Sequence, residues 1–177
     1  MEEGSLLEAI AQMRAAYDTV AACSADALTH PELLTALSEL ETLTRQLPTQ
    51  SHRLLARLQR EASPVELGAK SLKDVLKIRL RISAKDASRR LEEATDLGSR
   101  VALNGEPLQP KLDKVAHAQA QGRINAEHVA VIRGFFAKLP GWVDHTTREK
   151  AQTDLTRIAS GSGPDELRKA AQREATL

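Results

Sequence analysis

Residues 80–91 read LRISAKDASRRL, a stretch that predicts the turn and the second helix of a helix-turn-helix. Leu80 and Ile82 are expected to pack beneath the turn, and Ser83 is expected to cap the helix that follows. Apolar side chains at helical spacing precede the turn. We therefore predict a helix-turn-helix-like segment near residues 72–97.

The segment departs from this motif at three positions. Arg81 stands at the turn position usually held by glycine, Lys77 at a position that is usually small, and Arg90 at one that is usually apolar. Two helices joined by a short turn are also common in helical domains without a DNA partner. The stretch leaves two interpretations open, a groove-reading motif and an ordinary pair of helices.

The remaining sequence carries helical patterns only. Alanine and leucine dominate the 177 residues, and no alternating apolar run of strand length occurs. Aromatic residues make up 2% of the chain, too few for a sheet that stacks bases on aromatic rings. We predict an all-α fold, a multi-helix bundle of about eight helices in two lobes, with no sheet.

Turn-forming residues between the two halves predict where the lobes divide. Residues 98–110 contain Asn-Gly and two prolines and are predicted to be a connector. The N-terminal lobe would cover residues 1–97, including a basic block at residues 45–90, and the C-terminal lobe residues 111–177. Helical spacing predicts that the core of the second lobe contains Leu112, Val115, Val129, Ile132, Phe136, Leu155 and Ile158.

Charge is distributed unevenly along the chain. Residues 1–44 hold eight acids and one base, a net charge of −7, whereas residues 45–90 hold twelve bases and four acids, a net charge of +8. Residues 91–177 hold twelve of each, so the overall charge of +1 hides a dipolar chain. The basic block at residues 45–90 indicates a polyanionic partner. The alternative is a solvated basic face that the acidic N-terminal third counters.

A cationic stripe is predicted within the basic block. Lys73, Lys77 and Arg81 share one face of a helical wheel, opposite the apolar side chains. Like charges at this spacing repel each other, and phosphate groups would remove that conflict. Further cations project from the next helix. The predicted nucleic-acid-binding residues are Lys73, Lys77, Arg81, Lys85, Arg89 and Arg90.

Two arginines fall within apolar arcs of their helices. Arg79 and Arg133 are predicted to be structural buried charges, because a buried guanidinium keeps its charge and requires a carboxylate or several carbonyl groups. The predicted partner of Arg133 is Asp113, Asp144 or Glu149. A phosphate contact at the mouth of a groove is the functional alternative.

Several classes of site are not expected. A single cysteine, Cys23, excludes an internal disulfide and a multi-thiolate metal site. The five histidines form neither an HExxH motif nor a Cys/His cluster, and no glycine-rich phosphate loop follows a strand. We expect no metal, no cofactor, no catalytic residue and no small-molecule substrate. No apolar run reaches the ~18 residues of a membrane span, so we expect no membrane partner and a cytoplasmic location.

The second half carries a more specific pattern. Residues 108–140 read LQPKLDKVAHAQAQGRINAEHVAVIRGFFAKLP, with an L-x-P opening and the core A-x-A-x-G-x-I-x-A-E-H-V-x-V-I. This pattern resembles the actinobacterial and mycobacterial 13E12 repeat family, domain of unknown function 222. The likeness spans nearly the whole chain and is strongest over residues 80–170. The core consists of Ala118, Ala120, Gly122, Ile124, Ala126, Glu127, His128, Val129, Val131 and Ile132.

The resemblance implies an association with nucleases. Members of that family commonly carry a C-terminal HNH endonuclease domain, and the helical part is non-catalytic. This sequence holds no HNH-type histidine cluster, so no nuclease residue can be carried over. We therefore expect a non-catalytic module that binds or positions nucleic acid, with contacts to the phosphates of duplex DNA.

A protein-interaction or self-association module is the alternative. Its basis is a near-heptad leucine seam and the acidic first third, which could dock onto the basic block of another copy and produce a homo-oligomer. The seam consists of Leu33, Leu37, Leu40 and Leu47.

Overall fold

A computed structural model describes residues 4–176 of the protein, and these residues form eight α-helices and one short β-hairpin. The predicted all-α class is confirmed. The helices are α1 (Leu6–Ala22), α2 (His30–Glu61), α3 (Leu72–Leu80), α4 (Ala84–Leu97), α5 (Asp113–Ala120), α6 (Ala126–Lys138), α7 (His145–Gly161) and α8 (Pro164–Glu174).

The hairpin is a departure from the predicted absence of any sheet. Its strands are β1 (Arg100–Val101) and β2 (Pro107–Leu108), which pair antiparallel. The turn between them uses the Asn-Gly dipeptide: Gly105 has a φ of 85°, which glycine adopts at no steric cost. Strands of two residues are too short to show alternation, so the pattern could not reveal them.

Side-chain caps define where the helices begin. The Ser5 hydroxyl accepts a hydrogen bond from the Glu8 amide at 3.2 Å, and Glu8 accepts one from the Ser5 amide, which forms a capping box for α1. Ser71 and Ser83 cap α3 and α4 by accepting a hydrogen bond from the amide of the residue three positions later. These short polar side chains satisfy amides that have no helical partner.

Residues up to Glu39 form the first of two compact units. No described residue of this unit is buried, and most of its large apolar side chains are 39–78% exposed. In α1, Leu6, Ile10, Met13 and Tyr17 are spaced by three or four positions and follow one side of the helix. This unit therefore presents an amphipathic helix whose apolar face no described residue buries.

The second unit begins at Leu40 and contains both hydrophobic clusters of the described chain. The smaller cluster joins α2, α3 and α4 through Leu55, Leu76, Ala87 and Ala94. The larger one extends from the end of α4 to α8. Its buried members are Leu97, Leu112, Val115, Ala118, Ile124, Val129, Ile132, Phe135, Ala151, Leu155, Ala159, Leu167 and Ala171, and Phe136 and Ile158 pack against it half-buried.

The division of the chain does not fall at residues 98–110, where the connector is predicted. The boundary between the two compact units falls, along the chain, between Glu39 and Leu40. Leu97 at the end of α4 joins the same cluster as Leu112, so the larger core continues across the hairpin. Shared apolar burial keeps the residues on both sides of the hairpin in one unit.

Candidate nucleic-acid interface

Helices α3 and α4 form a helix-turn-helix-like pair. The smaller cluster holds them together, with Leu76 from α3, Ala87 from α4 and half-buried Ile82 from the turn between them. Ser83 then caps α4 by accepting a hydrogen bond from the Asp86 amide at 3.0 Å. Packing under the turn thus fixes the orientation of α4.

Arg81 adopts a left-handed backbone at the end of α3. Its φ is 54° and its ψ is 47°, and it is the only non-glycine residue with a positive φ among those described. This conformation is what a glycine would supply at the turn of a helix-turn-helix, whereas a side chain with a Cβ atom adopts it at a cost. Arg81 therefore lies outside α3, and helical spacing does not place it on one face with Lys73 and Lys77.

The predicted phosphate-contacting cations fall into two groups. Lys73, Arg81 and Lys85 are exposed, and none forms an ion pair with a carboxylate of the described chain. Lys77 is only partly exposed and lies 3.6 Å from the Asp74 carboxylate, a neighbour on its own helix. The cationic stripe of α3 is thus partly neutralised.

Arg89 and Arg90 belong to the second group, because Asp86 holds both. Arg90 donates from Nε to Asp86 at 3.0 Å, and Arg89 donates to the same carboxylate through two of its nitrogens. These hydrogen bonds, first that from Arg89, hold the pKa of Asp86 below its usual value although burial opposes the shift. Both guanidinium groups are therefore less available to a phosphate than Lys85 is.

Glu93 is a buried carboxylate that sequence reasoning missed. It lies 3.3 Å from His52 Nε2 on α2 and accepts a hydrogen bond of 2.8 Å from Arg89. Burial raises the pKa of Glu93, but the hydrogen bonds from His52 and Arg89 outweigh burial and lower the pKa overall. The contact between His52 and Glu93 links α2 to α4, the second helix of the helix-turn-helix-like pair. The i, i+4 spacing of Arg89 and Glu93 was the available signal.

Arg133 on α6 is a largely buried guanidinium, as predicted, with 16% of its side chain exposed. Its partner is Asp96 on α4, at 2.8 Å, with Glu92 at 3.7 Å and Glu93 at 4.0 Å. The predicted partners Asp113, Asp144 and Glu149 are wrong, because α4 rather than α5 or α7 supplies the acids.

The prediction that Arg79 is a buried charge is wrong, because Arg79 is exposed. Ile78 and Leu80, on either side of it, are 66% and 49% exposed. The last turn of α3 is therefore open to solvent, and only Val75 and Leu76 of this helix are buried. Arg79 forms no ion pair within the described chain and adds a free cation beside Arg81.

No metal or membrane-spanning feature is found in the described residues. Within residues 4–176, no three His, Cys, Asp or Glu side chains are grouped so that they could hold a metal ion. None of the helices formed by these residues combines the length and the apolar character needed to cross a membrane.

Comparison with known proteins gives a family and several relatives. The sequence model of the domain of unknown function DUF222 matches residues 34–176. The chain is 46% identical to the uncharacterized protein MT1160 of Mycobacterium tuberculosis (strain CDC 1551 / Oshkosh) over 168 residues, which are 95% of this chain and 40% of that protein. It is 44% identical to the uncharacterized protein Mb1179c of Mycobacterium bovis over 142 residues, which are 80% of this chain and 31% of that protein.

A third relative covers almost the whole chain. The uncharacterized protein MT1741Mb1728c of Mycobacterium tuberculosis (strain CDC 1551 / Oshkosh) is 41% identical over 176 residues, 98% of this chain and 38% of that protein. The chain thus spans about two fifths of the length of the curated relatives it matches first. No solved structure matches the chain.

Proposed function

This chain belongs to the DUF222 family, and we propose that it is a cytoplasmic, non-catalytic module whose α3–α4 surface binds the phosphates of duplex DNA. The observation that carries the proposal is the group of exposed cations on this helix-turn-helix-like pair that no described carboxylate neutralises. The group, called here the free cations, consists of Lys73, Arg79, Arg81 and Lys85.

The geometry of the turn supports this function. Arg81 holds a strained backbone conformation at a position where glycine would be unstrained, and it forms no ion pair within the described chain. Backbone strain that no contact within the protein offsets is typical of residues that contact an external partner. A phosphate would supply the missing counter-charge to Arg81 and to its neighbour Arg79.

Such contacts would position DNA without reading its sequence. Phosphate contacts orient a duplex, whereas specificity requires contacts to base edges in the grooves. We therefore expect weak sequence preference from this chain and a strong dependence on salt. The relatives are longer than this chain, and we propose that the module places a duplex for a neighbouring nuclease domain of the HNH type.

A salt titration tests this function. The affinity of the chain for a labelled duplex of about 20 base pairs should fall with salt, with a log–log slope of roughly −3 to −4, because four free cations each release about 0.9 counterions. Lys73→Ala should make the slope shallower by about 0.9 and weaken binding to different sequences equally.

Lys150→Ala is the matched control. Lys150 on α7 is an exposed lysine outside the α3–α4 surface and has no ion pair within the described chain. Its removal lowers net charge by the same amount and should leave the slope nearly unchanged. Equal effects of both variants would show that the duplex is attracted by net charge and not by the α3–α4 surface. The absence of duplex binding by the folded chain at about 50 mM salt would refute the function.

Self-association is a second candidate function, favoured by the exposed apolar face of the first unit. Met13 and Tyr17 on α1 are 52% and 70% exposed, and Leu34 and Leu37 on α2 are 66% and 62% exposed. Most of the stability of a helix in a protein comes from packing its apolar face against another surface. We propose that a second copy of the chain covers it.

Sedimentation over a range of concentrations tests this second candidate. The mass should rise with concentration, and Leu37→Gln should shift the transition to higher concentration. Leu103→Gln is the control, because Leu103 at the tip of the hairpin is fully exposed and lies outside the first unit. A mass of one chain at all concentrations would exclude this function and leave the DNA proposal unaffected.

A further inference from the structure

A second cationic site lies between α5 and α7. A cavity of about 690 Å³ there is lined by Lys114, Arg123 and Arg157, with Asp113 as its only acidic lining residue. Volumes of this order suit small ligands. The excess of positive charge indicates an anion, and the site is separate in sequence from the α3–α4 surface.

Arg123 is the cation without a partner in this cavity. Lys114 lies 3.5 Å from the Glu149 carboxylate, and Arg157 lies 3.7 Å from that of Asp154. Arg123 forms no ion pair within the described chain, although its side chain lines the cavity. Its guanidinium can therefore accept an external anion without first breaking an internal contact.

The backbone that carries Arg123 is held rigidly. The Arg123 amide donates to the Ala118 carbonyl at 3.0 Å and closes the end of α5, where Gly122 has a φ of 72°. From α2, Arg45 donates to the Arg123 carbonyl at 3.4 Å, and Gln46 donates to the Ala120 carbonyl at 3.0 Å. Fixed backbone positions reduce the entropy lost when a side chain binds a ligand.

A buried hydroxyl group provides the independent observation. Thr156 lines the cavity, is 6% exposed, and its Oγ1 atom has no hydrogen-bond partner. The hydroxyl groups of Thr153 and Ser160, which line the same cavity, each donate to a backbone carbonyl one turn earlier, at 2.9 and 2.8 Å. A buried polar atom without a partner is rare and requires an explanation.

We propose that this cavity, named here the α5–α7 pocket, binds a phosphate group through the Arg123 guanidinium and through the Thr156 hydroxyl, whose side chain must rotate toward the cavity because its Oγ1 atom is buried. Phosphate oxygens accept hydrogen bonds from both groups, and arginine matches their geometry with paired donors. The phosphate belongs either to a free anion or to a nucleic-acid backbone, since both present the same chemistry to these side chains.

Titration with inorganic phosphate at constant ionic strength tests the pocket. The amide resonances of isotopically labelled protein are recorded by NMR while phosphate replaces chloride in the buffer. We expect saturable shifts centred on Lys114, Thr153 and Thr156. Arg123→Gln should weaken phosphate binding by about tenfold, because it removes a charge-assisted hydrogen bond.

Two further variants separate a binding role from a general effect. Arg173→Gln on α8 is the matched control, since Arg173 is also exposed and unpaired with any described carboxylate; it should bind phosphate like the native chain. Thr156→Val keeps the shape of the side chain and removes the hydroxyl, so it should fold normally and weaken binding by several-fold. Uniform, non-saturating shifts, or equal losses in both arginine variants, would overturn the proposal.

A second titration identifies the source of the phosphate. If the pocket accepts a DNA backbone, a duplex should displace inorganic phosphate from these amides, and Arg123→Gln should make the salt slope for DNA shallower by about 0.9. If a free anion is the ligand, a duplex should leave the amides unchanged. Failure of phosphate binding leaves the α3–α4 surface intact, because Lys73→Ala tests that surface separately.

Discussion

Replacing Arg81 with glycine should stabilise the protein and weaken its binding to DNA at the same time. Arg81 is the left-handed residue between α3 and α4, exposed and without an ion pair inside the described chain. Arg81→Gly therefore removes backbone strain and a phosphate contact together, and no ion pair of the side chain within the described chain is lost. The two effects are measured by different assays.

The magnitude follows from the backbone angles. A left-handed conformation costs an L-residue roughly 1–2 kcal/mol, and glycine loses more entropy on folding, about 0.5–1 kcal/mol. The net gain is about 0.5–1 kcal/mol. For a chain of 177 residues, that gain corresponds to a rise in melting temperature of roughly 1–4 °C.

Calorimetry and salt-titrated binding are the two assays. Arg81→Gly should melt above the native protein and should lose about 0.9 from its salt slope. Arg81→Ala is the matched variant, because alanine removes the same charge but keeps the Cβ atom that makes this conformation unfavourable. It should lose the same slope without the gain in stability.

Two results would refute the reasoning. Equal melting temperatures for Arg81→Gly and Arg81→Ala would show that the turn is not strained in solution. An unchanged salt slope in both variants would show that Arg81 does not contact phosphate.

Three further predictions concern charges that the fold holds in place. Arg133→Met should lower the free energy of unfolding by about 2–3 kcal/mol in urea denaturation, less than for a fully buried pair because the Asp96 side chain is 30% exposed; an unchanged urea midpoint would contradict the pairing. Glu93 has a folded pKa below its ordinary value of 4.5, so its contribution to stability is present above that pH and is lost as pH falls through the folded pKa. The stability difference between the native chain and Glu93→Gln should accordingly shrink in acid, and a difference independent of pH would count against it. Asp86→Asn should release Arg90, leave Arg89 bound to Glu93 alone and strengthen duplex binding, whereas Asp165→Asn, which removes one of the two carboxylates paired with Arg168 on α8, should have little effect on it.

Local signals in the sequence predicted the two helices and the turn of the helix-turn-helix-like pair, but the expectation that Leu80 packs beneath the turn is wrong, because Leu80 is 49% exposed. Ser83 caps α4 because a hydroxyl at that position reaches an amide three residues on, and this depends on neighbours in sequence only. The left-handed backbone of Arg81 belongs to the short turn between α3 and α4, so it also depends on neighbours in sequence. Residues such as Ile132 and Leu155 could be placed in the core because periodic apolar spacing requires a buried face.

Contacts between helices could not be predicted in the same way. The partner of Arg133 depends on α4 lying beside α6, and no periodicity within either helix encodes that neighbour. Arg79 was misplaced because a helical wheel assumes that every turn is packed, whereas the last turn of α3 is open. The pairing of Arg89 and Arg90 with Asp86 was visible as i, i+3 and i+4 spacing, and it limits which cations are free.

The absence of buried residues in α1 has a consequence for local unfolding. Amide hydrogens exchange with solvent through openings whose free energy reflects the apolar contacts that must be broken. The opening of α1 breaks no buried apolar contact, whereas the opening of the segment around Ile132 must expose side chains that have no accessible surface in the folded chain. The single chain should therefore show a steep gradient of deuterium uptake, fast in α1 and slow in α6, and a bound second copy should reduce uptake in α1 first.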